Sequence, residues 1–149
     1  MSGRTPSALP DIPGGAALIE WFGFVPNFHD GLVLATRLAS DGPGEIRIHT
    51  WRITNRTDER GYFILDKHTV VTFSLEDIRA VNFRNFNEPT AIHRLFLTTV
   101  EDGFEIRWDN VCGAGGPGIE GSVTARRVSV SFVPGEPAND GGAEAGPSN

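Results

Sequence analysis

From residue 32 to residue 133 the chain reads as strand after strand, and that succession most limits the folds open to it. Segments of alternating apolar and polar residues recur at roughly ten-residue spacing, separated by clusters of Gly, Pro, Asp and Ser. The expected strands are residues 32–38, 45–54, 69–75, 78–86, 92–100, 104–108 and 121–133, with 62–66 either a short strand or a crossing loop. Ser40-Asp41-Gly42-Pro43-Gly44 ends the first, and Glu101-Asp102-Gly103 supplies a hairpin turn of the Asp-Gly kind. Two segments change parity along their length. In 45–54 the apolar role passes from Ile46 and Ile48 to Trp51 and Ile53, which predicts a bulge near His49 or Thr50. In 121–133 it passes from Val123 and Ala125 to Val128, Val130 and Phe132, which predicts another at Arg126-Arg127.

Tight turns between neighbouring strands favour antiparallel pairing. The fold expected is therefore mainly β: an antiparallel β-sandwich or strongly curved sheet of seven to eight strands, with one short N-terminal helix. That helix is AALIEWF at 16–22, where Leu18, Ile19 and Phe22 share a face and Gly23 stops the run. Residues 1–15 and 134–149 are rich in Gly, Pro and small polar residues and bury too little to offset their ordering entropy. The expected organisation is a disordered arm at 1–15, a single all-β domain at 16–133, and a disordered Gly/Pro/acidic tail at 134–149.

A length of 149 residues suits one such domain. The net charge of −6 includes Glu136, Asp140 and Glu144 of the tail, so the rest is only mildly acidic. A phosphate-binding surface wants a basic balance, so nucleic acid is not an expected partner. No apolar run reaches the roughly 20 residues of a membrane helix, and the first residues lack the apolar core of a secretory signal. The lone Cys112 forms no internal disulfide and suits a reducing compartment, so the expected location is the cytoplasm, with no membrane partner.

The densest stretch is FGFVPNFHDGLVL at 22–34, which sets His29 and Asp30 between apolar anchors just before the first strand. The pair could act as a base with its orienting acid or as two metal ligands, but neighbours on a strand point to opposite faces. The structural reading has Phe28 buried between helix and first strand, and Asp30 accepting backbone N–H bonds at the turn. His49, His68 and His93 fall on separate segments with no paired metal-ligand spacing. CGAGGPG at 112–118 lacks the GK[ST] ending of a phosphate loop, and no base is indicated beside the thiol. No cofactor, metal or catalytic residue is expected. The mixed-charge loop after Arg52, with Asn55, Arg56, Asp58, Glu59 and Arg60 between Trp51 and Tyr62, is either a solvated edge or a recognition patch. The candidate partner-binding residues are His29, Asp30, Trp51, Arg52, Arg56, Asp58, Glu59 and Tyr62. A competing expectation is a small-molecule or carbohydrate-binding β-sandwich, with Trp51, Trp108 and Tyr62 stacking on a ligand from one concave surface. Long strands with few covers for their edges also predict a possible homodimer.

The segment WFGFVPNFHD at 21–30 running into an apolar strand resembles the bacterial immunity proteins of polymorphic toxin systems grouped as immunity protein family fifty. The likeness continues through IRIHTWRITNRTDERGYFILDKHTVVTFSLEDI, then Cys112-Gly113, Ile119-Glu120-Gly121 and RRVSVSF, over about residues 18–137. The resemblance implies a non-enzymatic cytoplasmic antitoxin that binds and occludes a cognate bacterial toxin protein.

Overall fold

A computed structural model describes residues 7–84, 91–110 and 120–137 of the chain. Its elements are a 3-10 turn at Leu9–Asp11, helix α1 (Gly15–Phe22), and strands β1 (Leu32–Arg37), β2 (Gly44–Thr57), β3 (Phe63–Arg84), β4 (Ile92–Val100), β5 (Gly103–Asn110) and β6 (Glu120–Pro134). All six strands lie in one antiparallel sheet in the order β1-β2-β3-β6-β5-β4. The mainly β, antiparallel expectation with one short helix holds. The described residues make six strands rather than seven to eight.

The difference lies in β3. Segments 62–66, 69–75 and 78–86 were expected to be separate, yet Phe63–Arg84 runs as one strand of 22 residues. The breaks between them coincide with Lys67 (φ 52°) and Asp77 (φ 59°), single left-handed residues that change the strand's direction without ending its pairing. Thr50↔Thr69 is followed by Arg52↔Asp66, so the extra residue at the first irregularity belongs to β3. The bulge expected at His49 or Thr50 is thus in the right place along the ribbon but on the partner strand. β2 keeps its parity, and Trp51 and Ile53 stay on the outer face instead of turning inward. At Arg126-Arg127 the pairing with β3 continues without slip, and the register shift falls between Ile78 and Ala80. The bend there is covered by charge: Arg127 Nε meets Glu76 at 2.7 Å, and Asp77 faces Arg79 and Arg126 at 3.1 and 3.4 Å.

Inward side chains from every strand, among them Ile46, Ile48, Phe73, Leu95, Ile106 and Val123, form one core. α1 adds Leu18 and Phe22 to it. Gly23 caps the helix in the left-handed region (φ 87°), as its sequence position predicted. Part of the expected N-terminal arm is a component of the fold: Ala8, Leu9 and Ile12 are buried. Three apolar side chains among the prolines supply contacts that composition alone hid. Gly14 (φ 87°) lies so close to β6 that a Cβ would meet the Val130 carbonyl oxygen at 1.8 Å. Expected segments 85–86, 112–118 and 138–149 lie outside the described residues.

The sheet curls until its outer strands meet. Leu32 at the start of β1 bridges Ala91, the Asp30 N–H donates to the Ile92 carbonyl, and the Ile92 N–H donates to that of Gly31. The N-terminal chain covers more edge: the Ala8 N–H bonds the Leu97 carbonyl, the Leu95 N–H bonds that of Asn27, and the Val130 N–H bonds that of Pro13. This seals the free edge of β4. Among the described residues no helix is long and apolar enough to cross a membrane.

Candidate functional site

The same turn-in that joins the chain before β1 to β4 leaves β2, among the described residues, with β3 alone as its strand neighbour beyond His49. β1 pairs with β2 only as far as Leu32↔His49, while β2 continues to Thr57. On the far side, β6 ends beside β3 at Thr69↔Pro134, while β3 begins at Phe63. Residues 50–57 and 63–69 therefore project as a two-stranded arm. A ribbon of this kind has no core of its own, so its faces decide what it does.

One face is polar. Arg52 grips Asp66 through two nitrogens at 2.9 and 2.7 Å, and that bonding holds the Asp66 carboxyl below the usual carboxylate range. The other face is apolar: Ile53 pairs with Leu65, Phe63 follows two residues on, and Trp51 stands at the base. Ile53, Leu65 and Phe63 are 45%, 38% and 60% exposed, and Tyr62 at the tip is 66% exposed. An isolated exposed apolar residue is ordinary, whereas several on one face of a projecting element mark a contact surface.

At the base, Trp51 packs on a histidine pair. His49 Nε2 and His68 Nδ1 are 3.1 Å apart, and the Trp51 ring lies 5.0 and 5.8 Å from the two imidazoles. Burial lowers the pKa of His49, and His68 lowers it further, against an opposing pull from Glu136. Lys67 Nζ donates to the Trp21 carbonyl oxygen at 2.6 Å and lies 4.6 Å from the centre of the same residue's ring. Trp21 Nε1 donates to the buried Thr69 hydroxyl at 2.8 Å. These bonds fasten the arm to the end of α1.

The eight residues singled out from the sequence collect at this arm and the corner beside it. His29, Trp51 and Arg52 line one groove of about 260 Å³, together with Phe24, Pro26 and Phe28. Asp30 stands next to His29, its Oδ2 3.5 Å from Nε2. The two adjacent side chains do meet, contrary to the strand-based expectation, because Phe28 and Asp30 have left-handed backbones (φ 62° and 64°) and the segment is a corner. His29 Nδ1 is 2.9 Å from the His93 carbonyl oxygen. Phe28 is buried as expected, its ring 5.8 Å from that of Phe73. The expected role of Asp30 fails: among the described residues its carboxylate accepts no backbone N–H, and Asn27 Oδ1 takes the His29 N–H at 3.0 Å instead.

Arg56, Asp58, Glu59 and Tyr62 sit at the tip. Asp58 is structural, since its Oδ1 accepts the N–H groups of Arg60 and Tyr62 at 2.9 and 3.0 Å and holds the turn. Arg56 and Glu59 are exposed, and neither side chain has an ion-pair partner among the described residues. Ile53, Phe63 and Leu65 were missed, because the parity change expected in β2 turns Ile53 inward, whereas the extra residue lies in β3 and leaves Ile53 and its partner Leu65 on the outer face.

The three aromatics of a carbohydrate platform do not share a surface. Trp108 is buried in the core against Phe83, Trp51 is on the outer face of β2, and Tyr62 is at the tip. Among the described residues no group of three or more His, Cys, Asp or Glu could hold a metal ion. Searches of protein-family models, curated proteins and solved structures find no match to this chain.

Proposed function

We propose that this chain is a non-enzymatic protein-binding domain that acts as an immunity protein, binding a bacterial toxin protein and neutralising it by occlusion. The observation that carries the reading is the projecting arm at 50–69, with Trp51, Ile53, Phe63 and Leu65 on one face and Tyr62 at its tip. Aromatic and arginine side chains dominate binding energy at protein interfaces, and this arm carries Trp51, Tyr62, Arg52 and Arg56 within a short span. The resemblance of 21–30 and 46–78 to immunity proteins names the kind of partner. On this reading the protein works in the cytoplasm, where its single thiol stays reduced.

Co-expression tests it. Cells carrying a toxin encoded beside this chain's gene survive when the chain is present, and lose that protection when Ile53 and Leu65 are both replaced by Asp. Death of the cells with the intact chain present, for every neighbouring toxin, removes the immunity reading.

A further inference from the structure

Beside residues 50–57 there is a lane that no strand of the described residues fills. β1 occupies it as far as Leu32↔His49 and then leaves, because residues 27–31 turn away to bond β4 through Asn27, Asp30 and Gly31. What remains is an edge of β2 that, among the described residues, has β3 on one side and no strand on the other. Such an edge presents N–H and C=O groups to any extended segment that arrives; at its far end the Thr54 hydroxyl already accepts the Arg56 N–H at 3.2 Å. The lane has side-chain chemistry as well. Where β1 leaves it, the groove of about 260 Å³ between Phe24, Phe28 and Ile53 offers room for one or two apolar side chains.

We propose that a protein partner adds an extended segment to this lane as a further strand, alternating acidic side chains with apolar ones. The inference rests on the protein-binding reading above and specifies its mode. Period-2 alternation over 51–53 puts Arg52 on one face and Trp51 and Ile53 on the other, and Arg56 follows beyond the register shift between Ile53 and Thr57. Acidic residues of an incoming strand then lie on the arginine face, where opposite charges across strands stabilise pairing. Its apolar residues lie over Trp51 and Ile53, and one fills the groove. Arg52 is engaged with Asp66, but Arg56 has no ion-pair partner among the described residues. A second copy of this chain is the poorer occupant. Residues 50–57 contain Arg52 and Arg56 and no acid, so two copies paired through this lane bring arginines towards arginines.

The probe is a synthetic eight-residue peptide alternating Glu and Val, compared with its Lys and Val counterpart, in low salt. The Glu peptide binds at least about tenfold more tightly than the Lys peptide, and Arg56→Glu reverses the preference. Hydrogen exchange of the complex gains protection in 50–57 and not in 63–68. Arg56 is exposed, and circular dichroism verifies that its variant folds. Equal affinity for the two peptides, no binding of the Glu peptide, or protection on the β3 side would each overturn the proposal. So would protection of 50–57 that rises with protein concentration alone, which would assign the lane to a second copy. If the peptide fails while cells are still protected from a toxin, strand addition falls and the immunity reading stands. If the peptide binds at the lane while no toxin is neutralised, the immunity reading falls and the mode stands.

Discussion

Asn27 secures the corner before β1 from both its side chain and its backbone. Its Oδ1 takes the His29 N–H, and its carbonyl takes the Leu95 N–H. Asn27→Ala removes the first bond and is expected to lower unfolding free energy by about 1 kcal/mol in denaturant melts. Asp30→Asn keeps a residue type that tolerates the left-handed backbone and is expected to change stability by less than about 0.5 kcal/mol. A result with the two costs exchanged would restore Asp30 as the structural acceptor. Gly103 is a second residue with no freedom: a Cβ there would lie 2.3 Å from the Ala125 carbonyl oxygen, so Gly103→Ala must push the start of β5 off β6. At this scale the sequence made the crowding at 22–34 visible and identified Phe28 as a core residue. It did not distinguish the Asn27 amide from the Asp30 carboxylate as acceptor, because both types serve in turns and only the path of the chain decides which one faces a free N–H.

At the scale of elements, His49 at the base of the arm gives stability a pH dependence. His49 has its pKa lowered in the folded state, so between that lowered value and the ordinary histidine value near 6.5 the unfolded chain binds more protons than the folded one. His49 thus contributes stability that is fully present above about pH 6.5 and is lost as pH falls through its folded pKa. Denaturation midpoints measured from pH 8 to pH 5 should decline, and His49→Gln should flatten the decline. An identical slope in the variant would assign the pH dependence to other groups. Strand existence was well marked in the sequence, since all six strands overlap segments of alternating residues. Continuity was not. Lys67 and Asp77 adopt left-handed conformations inside a paired strand, and nothing in an Asp-Lys-His or Glu-Asp-Ile run distinguishes a kink from a stop. The same blindness hid the contact face: Ile53 and Leu65 alternate as core residues do, and only the placement of the extra residue in β3 rather than β2 keeps them on the outer face.

At the scale of the molecule, curling and N-terminal straps remove most of the open edge that first suggested a dimer, leaving chiefly the arm. Light scattering at micromolar concentration should give a mass close to the 16.1 kDa of one chain. Twice that mass would mean that a second copy already occupies the arm. The mainly β, antiparallel character was legible because turns and alternation are local signals. The meeting of Leu32 with Ala91 was not, since closure depends on sheet twist summed over all six strands. The central claim is that the arm binds a protein. Its most direct test is the affinity of the purified chain for each toxin domain encoded beside its gene, with Ile53→Asp/Leu65→Asp compared against Val81→Asp, an exposed apolar position beyond the bend of β3. The account predicts a complex with the unaltered chain and with Val81→Asp, weakened about a hundredfold or more by the arm substitutions. Equal binding by the arm variant, or binding to none of those domains, would contradict it.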